Sequence, residues 1–264
     1  MVECRSLSRR ARHPRRNDHA WNQTAGGGGD RGGGLVIGAG QTGAPLAEIL
    51  DNRGYAVRVL VRDPAKVDGL PKAATLVAAD ATKPETLAPA FAGVDYVVST
   101  IGAGTPTGPN NPEAVDYKGV ANLADAAKSA GVKQFVLMSS IGAGIEDPDF
   151  PLNKGFGMVL KWKGRGEAHL RQSGVPYTIV RPGGLLNEDG GKPCKAGAVG
   201  IALFPGKEMR PTPPETRICR AEVALVMESA LNNPDAVGKT VSMLKDGAGQ
   251  PETWRGVWAS LPKD

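Results

Sequence analysis

Cysteine is scarce in this chain: Cys4, Cys194 and Cys219 are its 3 cysteines, far apart and without a C-x-x-C pair. That spacing makes a disulfide framework or a zinc site unexpected and suits a reducing compartment. Histidine is as rare, and of the 3 only His169 lies beyond the first 34 residues, since His13 and His19 fall within them. A histidine metal cluster or a Ser-His-Asp triad is therefore poorly supported, and no metal is expected. His169, in an amphipathic helical stretch, reads as a partly buried surface residue. There is no apolar signal-type segment and no run of about 18 apolar residues, so neither secretion nor a membrane span is indicated. No solenoid repeat is visible.

Charge is also missing where a nucleic-acid patch would need it. Residues 1–34 carry seven arginines against Glu3, Asp18 and Asp30, which accounts for +4 of the net charge of +5. The rest of the chain is near neutral, so the basic balance belongs to a tail. That tail ends in Gly26–Gly29 and Gly32–Gly34, a flexible-linker composition poor in apolar residues. It reads as an unfolded extension: a transit peptide, an upstream artefact of the start site, or an arm that binds a protein partner. With these signals the expected location is cytoplasmic, or a plastid or other organelle if the tail is a transit peptide. The remainder, 35–264, is long enough to bury one α/β core.

What is plentiful is glycine, and its placement is informative. Leu35-Val36-Ile37 is an apolar strand that runs into Gly38-Ala39-Gly40-Gln41-Thr42-Gly43. In such a turn Gly38 allows the bend, Gly40 lets a pyrophosphate approach the backbone, and Gly43 lets the next helix pack closely. The helix that follows offers unpaired N–H groups and a positive dipole end to phosphate. A second strand, Val57–Val61, ends at Arg62, 24 residues after Gly38. An acid there grips a ribose 2′-hydroxyl, whereas an arginine accommodates a 2′-phosphate. With Lys66 close behind and Asp63 one residue past the strand, the reading is NADP(H) in preference to NAD(H).

Beyond residue 35 strands and helices alternate. Strands are expected at Leu35–Ile37, Ala56–Val61, Thr75–Ala79, Tyr96–Ser99, Gln134–Ser139 and Tyr177–Val180. Helices are expected at Gly43–Asn52, Pro84–Ala92, Glu113–Ala130 and Gly157–Gln172. Continuous apolar strands between helices predict a Rossmann-type, doubly wound parallel sheet. After it come a glycine-rich loop at Gly183–Gly200, a short strand Ile201–Phe204, a helix Ala221–Leu231, a strand Thr240–Leu244 and a last helix Glu252–Leu261. This smaller C-terminal region is placed on the substrate side. Ligands in such folds sit outside the carboxyl ends of the strands. Asp80, the Thr100-Ile101-Gly102 stretch, Ser139-Ser140 and Arg181-Pro182-Gly183 all fall at that edge.

Asp116-Tyr117-Lys118-Gly119, Gln134 through Gly142, Leu160 through Glu167, and Gly174 through Leu185 together resemble the atypical short-chain dehydrogenases/reductases. The NAD(P)H-binding, NmrA-like and plant plastid-type proteins are the subgroup they resemble. The resemblance covers roughly residues 35–260 and implies a Rossmann fold with NADP(H) along the strand ends. It implies that Gly38, Gly40, Gln41, Thr42 and Gly43 hold pyrophosphate, Arg62 the 2′-phosphate and Asp80 the adenine. The small residues of the Thr100–Gly102 stretch are expected to let the cofactor lie over the backbone, and the resemblance implies that Ser139, Lys163, Pro182 and Gly183 lie near the nicotinamide. Two departures stand out. The glycine spacing is one residue shorter than the family's G-x-x-G-x-x-G. If Lys163 is the lysine of the family's Tyr-x-x-x-Lys pair, the tyrosine position is Val159, which cannot transfer a proton. The expected activity is NADPH-dependent reduction of a flavin-, quinone- or conjugated-carbonyl-type acceptor, with Ser139 and Lys163 as the catalytic candidates. The alternative is a redox-sensing or assembly module that binds NADP(H) without turning it over. An epimerase is a weaker third reading, because it would normally want that tyrosine.

Overall fold

A computed structural model describes residues 32–189, 191–194, 197, 200–206, 217–246 and 253–264. Most of the tail expected at 1–34, and the start of the helix expected at Glu252, lie outside these residues. Six parallel strands and the helices between them open the fold: β1 (Gly33–Ile37), α1 (Gly43–Asn52), β2 (Ala56–Val61), β3 (Thr75–Ala78), α2 (Ala88–Phe91), β4 (Tyr96–Ser99), α3 (Val120–Ser129), β5 (Gln134–Met138), α4 (Pro151–Gly155), α5 (Val159–Gln172) and β6 (Tyr177–Pro182). The C-terminal part adds β7 (Gly184–Leu186), β8 (Glu188–Asp189), β9 (Lys192–Pro193), β10 (Gly200–Pro205), β11 (Arg217–Cys219), α6 (Arg220–Ala230) and β12 (Lys239–Asp246). Among the described residues the main sheet has eight strands in the order β10-β12-β6-β5-β4-β1-β2-β3. It is parallel except where β10 runs antiparallel to β12.

The chain winds outward from β1 through β2 to β3, then returns to the other side of β1 at β4. The connections after β1 and β4 therefore leave toward opposite faces, and a crevice opens between them. Alternation along each strand sends side chains to two cores. Val36, Val98, Val136 and Val180 pack under α1 and α6, with Trp254 and Trp258. Leu35, Ile37, Val97, Phe135 and Leu137 pack on the other face with Phe91, Leu123 and Leu170. Both faces are covered, which is why these strands read as continuous apolar runs. No described helix is long and apolar enough to cross a membrane.

Several elements differ from the sequence reading. Gly33 and Gly34, assigned to the tail, are buried residues of β1. The Gly33 amide donates to Asp95 Oδ2 at 3.0 Å, and Gly34 pairs with Val57 and Tyr96 on either side. Here ladder hydrogen bonds override a composition that suggested a linker. The helix expected at Pro84–Ala92 is a 3-10 turn at Pro84–Thr86 followed by the four residues of α2. Pro89 has no N–H to carry the ladder through. The helix expected from Glu113 opens with a π-helical stretch, Glu113–Gly119, before α3 begins. The expected loop Gly183–Gly200 contains β7, whose parallel partner is β11, and a small β8–β9 hairpin. The last helix is 3-10, at Thr253–Ser260.

The largest correction concerns cysteine. Cys194 and Cys219 form a disulfide with Cα atoms 5.6 Å apart. Their spacing of 25 residues carried no hint of it. The pairing is tertiary: β7 lies beside β11 with Leu186 opposite Cys219, and the Cys194 amide donates to Asn187 O at 2.9 Å. A cross-link over a loop of this size is expected to stabilise the fold by about 3 kcal/mol. Urea unfolding with and without a dithiol reductant checks this. The reduced midpoint should fall, and a Cys194→Ser, Cys219→Ser double variant should no longer respond to reductant.

Candidate functional site

The turn after β1 is built by its glycines in three different ways. Gly38 has φ +92°, a conformation side chains rarely adopt. A Cβ on Gly43 would lie 1.7 Å from Gly38 O, so α1 seats directly on the turn. A Cβ on Gly40 would meet nothing within 4 Å, so the space above it is open. Thr100 Oγ1 at the end of β4 donates to Gly38 O at 3.0 Å and ties the two connections together. The α1 N-cap, Thr42, makes no side-chain cap hydrogen bond, and the first turn holds no acid. The Ala44 amide turns back to Gly40 O at 2.9 Å and Pro45 has no N–H, so what the helix start offers an anion is chiefly its positive end.

A cleft of about 610 Å³ opens from this turn along the strand ends. Gly38, Gly40, Arg62, Asp80, Thr100 and Gly102 line it together, six residues singled out from the sequence. Arg62 is exposed at the cleft and has no acidic partner among the described residues. Its neighbour Asp63 is engaged: it accepts the Ala65 amide at 3.1 Å, capping a 3-10 turn, and pairs with Lys66 at 3.0 Å. Asp80 turns one carboxylate oxygen to Thr82, whose amide and hydroxyl donate at 2.9 and 2.8 Å.

The other candidates lie outside the cleft lining. Gln41 is exposed on the turn. Thr42 was assigned to pyrophosphate, but its side chain is buried and its hydroxyl meets Arg220 of α6. Only its backbone faces the helix start. Ser139 is buried just past β5, and its hydroxyl finds no hydrogen-bond partner among the described residues. Such an orphaned hydroxyl calls for an explanation, and a ligand is one. Pro182 is buried at the end of β6, and the Gly183 amide donates to Met243 O at 3.1 Å. Val159, four residues before Lys163 and expected at the tyrosine position if Lys163 is the family lysine, is buried at the start of α5. Tyr117 stacks on Trp162 at 6.1 Å, and Tyr177 donates to Asp264, so neither replaces it. His169 pairs with Asp125 at 2.8 Å on the surface.

Lys163 shows what the sequence reading left out. Its Nζ donates to Asp116 Oδ1 at 2.7 Å, and the Asp116 side chain is 1% exposed. Asp116 Oδ2 accepts the Ala103 amide at 3.1 Å. One carboxylate therefore ties α5 to the loop after β4, and a Cβ on Gly102 would stand 3.8 Å from Lys163 Nζ. The π-helical stretch carries Asp116 inward, and Gly166 lets α5 approach closely, since a Cβ there would lie 2.3 Å from Asp116 O. The available signal was an acid four residues before Val120, on the apolar stripe of α3. Arg181 is committed elsewhere, to the fully buried Glu167. Among the described residues no cluster of His, Cys, Asp and Glu could hold a metal.

These features fit a dinucleotide: an open glycine turn, an uncapped helix start, a cleft along the strand ends and an orphaned hydroxyl. The comparisons agree. An NAD(P)H-binding family model matches residues 38–234. A chloroplastic protein of Arabidopsis thaliana, At2g37660, is 34% identical, over 82% of this chain and 71% of its own. Sanguinarine reductase of Eschscholzia californica is 36% identical, over 60% of this chain and 71% of its own. A solved structure from Bacillus halodurans, described as an NAD-dependent epimerase/dehydratase, superposes with a TM-score of 0.70 at 27% identity, covering 87% of this chain and 97% of that one. The chain belongs to the NAD(P)H-binding family of atypical short-chain dehydrogenases/reductases.

Proposed function

We propose that this protein is an NADPH-dependent reductase of a flavin-, quinone- or conjugated-carbonyl-type acceptor. The observation that carries the reading is Val159, buried four residues before Lys163, where the family's tyrosine would stand if Lys163 is the lysine of its Tyr-x-x-x-Lys pair. The bound nicotinamide supplies a hydride. An acceptor whose reduced form can take its proton from solvent does not need a tyrosine acid. The relative named sanguinarine reductase supports the reductase reading.

The roles fall to the residues as follows. Gly38, Gly40 and the start of α1 receive pyrophosphate, with Gln41 and Gly43 shaping the turn. Arg62, backed by Lys66, takes the 2′-phosphate, because Asp63 is occupied by its own cap and ion pair. Asp80 keeps one carboxylate oxygen for the adenine amine. Thr100 and Gly102 form the floor, with Pro182 and Gly183 at the far end. Asp116 holds Lys163 beside Gly102, where the ammonium has donors left for a ribose hydroxyl. Ser139 offers its unpartnered hydroxyl to nicotinamide or acceptor. The chloroplastic relative supports an organelle over the cytoplasm, with the basic tail as transit peptide or partner-binding arm.

The test is NADPH oxidation by the purified full chain, followed at the nicotinamide absorbance band with a flavin and with a quinone. Acceptor-dependent oxidation is expected. Replacing Lys163 with alanine should lower cofactor affinity or turnover about tenfold. Tight NADPH binding with no turnover by any acceptor would replace the reductase with the sensing or assembly module.

A further inference from the structure

Most of the half-buried or buried arginines in this fold have an evident partner for their charge. Arg181 and Arg171 share Glu167, and Arg171 also holds Asp264. Burial alone would lower the Arg171 pKa, yet those two acids carry it above the ordinary arginine value. Arg255 faces Glu228. Arg58 donates to the carbonyls of Pro89, Ala90 and Ala92, at the negative end of α2.

Arg220 is different. It opens α6 and is half-buried, and its Nε donates to Asn187 Oδ1 at 3.0 Å. Its Nη1 donates to Thr42 Oγ1 at 3.4 Å. Both partners are neutral, and no carboxylate pairs with it among the described residues. Glu222, two residues on, is turned to the Gly197 amide at 3.1 Å. Burial is the one cause that moves the Arg220 pKa, and it moves it down. The environment compounds the problem, because Thr42 stands at the N-cap position of α1, and the start of that helix is itself a positive pole. A guanidinium hydrogen-bonded to the N-cap residue of α1 lies close to that positive pole, and an anion between them would relieve the repulsion.

We propose that Arg220 is a second anchor for the dinucleotide, a pyrophosphate clamp supplied by the C-terminal region across the turn from Gly40. It rests on the reading that the cleft holds NADP(H). Thr42 then has a use in the site after all: its buried hydroxyl orients the guanidinium. The Cys194–Cys219 disulfide, with Cys219 adjacent in sequence, anchors the backbone from which Arg220 reaches. The anion completes a site that is otherwise over-positive, and the contact couples cofactor binding to the substrate side of the fold.

Two ligands separate the clamp from a structural role. NADPH carries the pyrophosphate, and adenosine 2′-monophosphate carries only the adenine and the 2′-phosphate. Calorimetric titration of the full chain is expected to show Arg220→Gln weakening NADPH about 10- to 100-fold, the loss of one charge-assisted contact. Affinity for adenosine 2′-monophosphate should stay within about twofold, and Arg220→Lys should recover part of the NADPH affinity. Equal NADPH affinity in wild type and Arg220→Gln overturns the clamp alone. Parallel weakening of both ligands also overturns it, assigning Arg220 to folding. A wild-type protein that binds neither ligand overturns the nucleotide reading and the clamp with it.

Discussion

Arg62→Asp is expected to raise the dissociation constant for NADPH at least about 100-fold while changing that for NADH by no more than about threefold. A guanidinium–phosphate contact contributes roughly 1.5–3 kcal/mol, and an aspartate adds repulsion toward a dianionic group. NADH has no 2′-phosphate, and an acid at this position can accept from its 2′-hydroxyl. Folding should be untouched, since Arg62 is exposed. The nearby Asp63 does not compensate in the wild type, because its oxygens serve Ala65 and Lys66. Fluorescence titration of both nucleotides decides the matter, and equal losses for the two would remove Arg62 from the 2′-phosphate role.

Gly43→Ala is expected to cost about 3 kcal/mol or more of stability, and Gly40→Ala almost none. At Gly43 the added carbon would stand 1.7 Å from Gly38 O and 2.9 Å from Thr100 Oγ1. The first neighbour is backbone and cannot rotate aside, so β1 and α1 must separate and Leu46 and Leu50 lose their packing. At Gly40 the same carbon enters open space. It occupies the volume a pyrophosphate needs, so the variant should unfold like wild type yet bind NADPH at least about tenfold more weakly. Urea unfolding and nucleotide titration on both variants read the two effects separately. Equal stability of Gly43→Ala and wild type would contradict the packing role, and normal binding by Gly40→Ala would contradict the phosphate role.

Much of this fold was legible in order. Val36, Val59 and Val98 sit in strands whose apolar continuity is the direct trace of helices on both faces, and the Gly38–Gly43 spacing marks the first crossover. The misreadings have local causes. Gly33 and Gly34 look like linker because composition does not register the ladder partners Val57 and Tyr96. Pro89, in the first turn of α2, interrupts a helical pattern that periodicity alone would carry through from Pro84. The cleft residues were legible because they follow strand ends, whose positions the βαβ pattern sets.

The residues that were not legible depend on contacts between distant segments. Asp116 and Lys163 are 47 residues apart, and Thr42 and Arg220 are 178 apart. Neither spacing says that a carboxylate will hold an ammonium, or that an arginine will face a helix start. Cys194 and Cys219 meet only because β7 pairs with β11. Local chemistry in the chain, glycine where φ is positive or a helix packs and an arginine at a strand end, was enough to specify a nucleotide cleft. Which charges meet inside it depends on the docking of α5 and α6 onto the sheet. Burial removes water there, and each charge then needs a partner that the linear order does not supply.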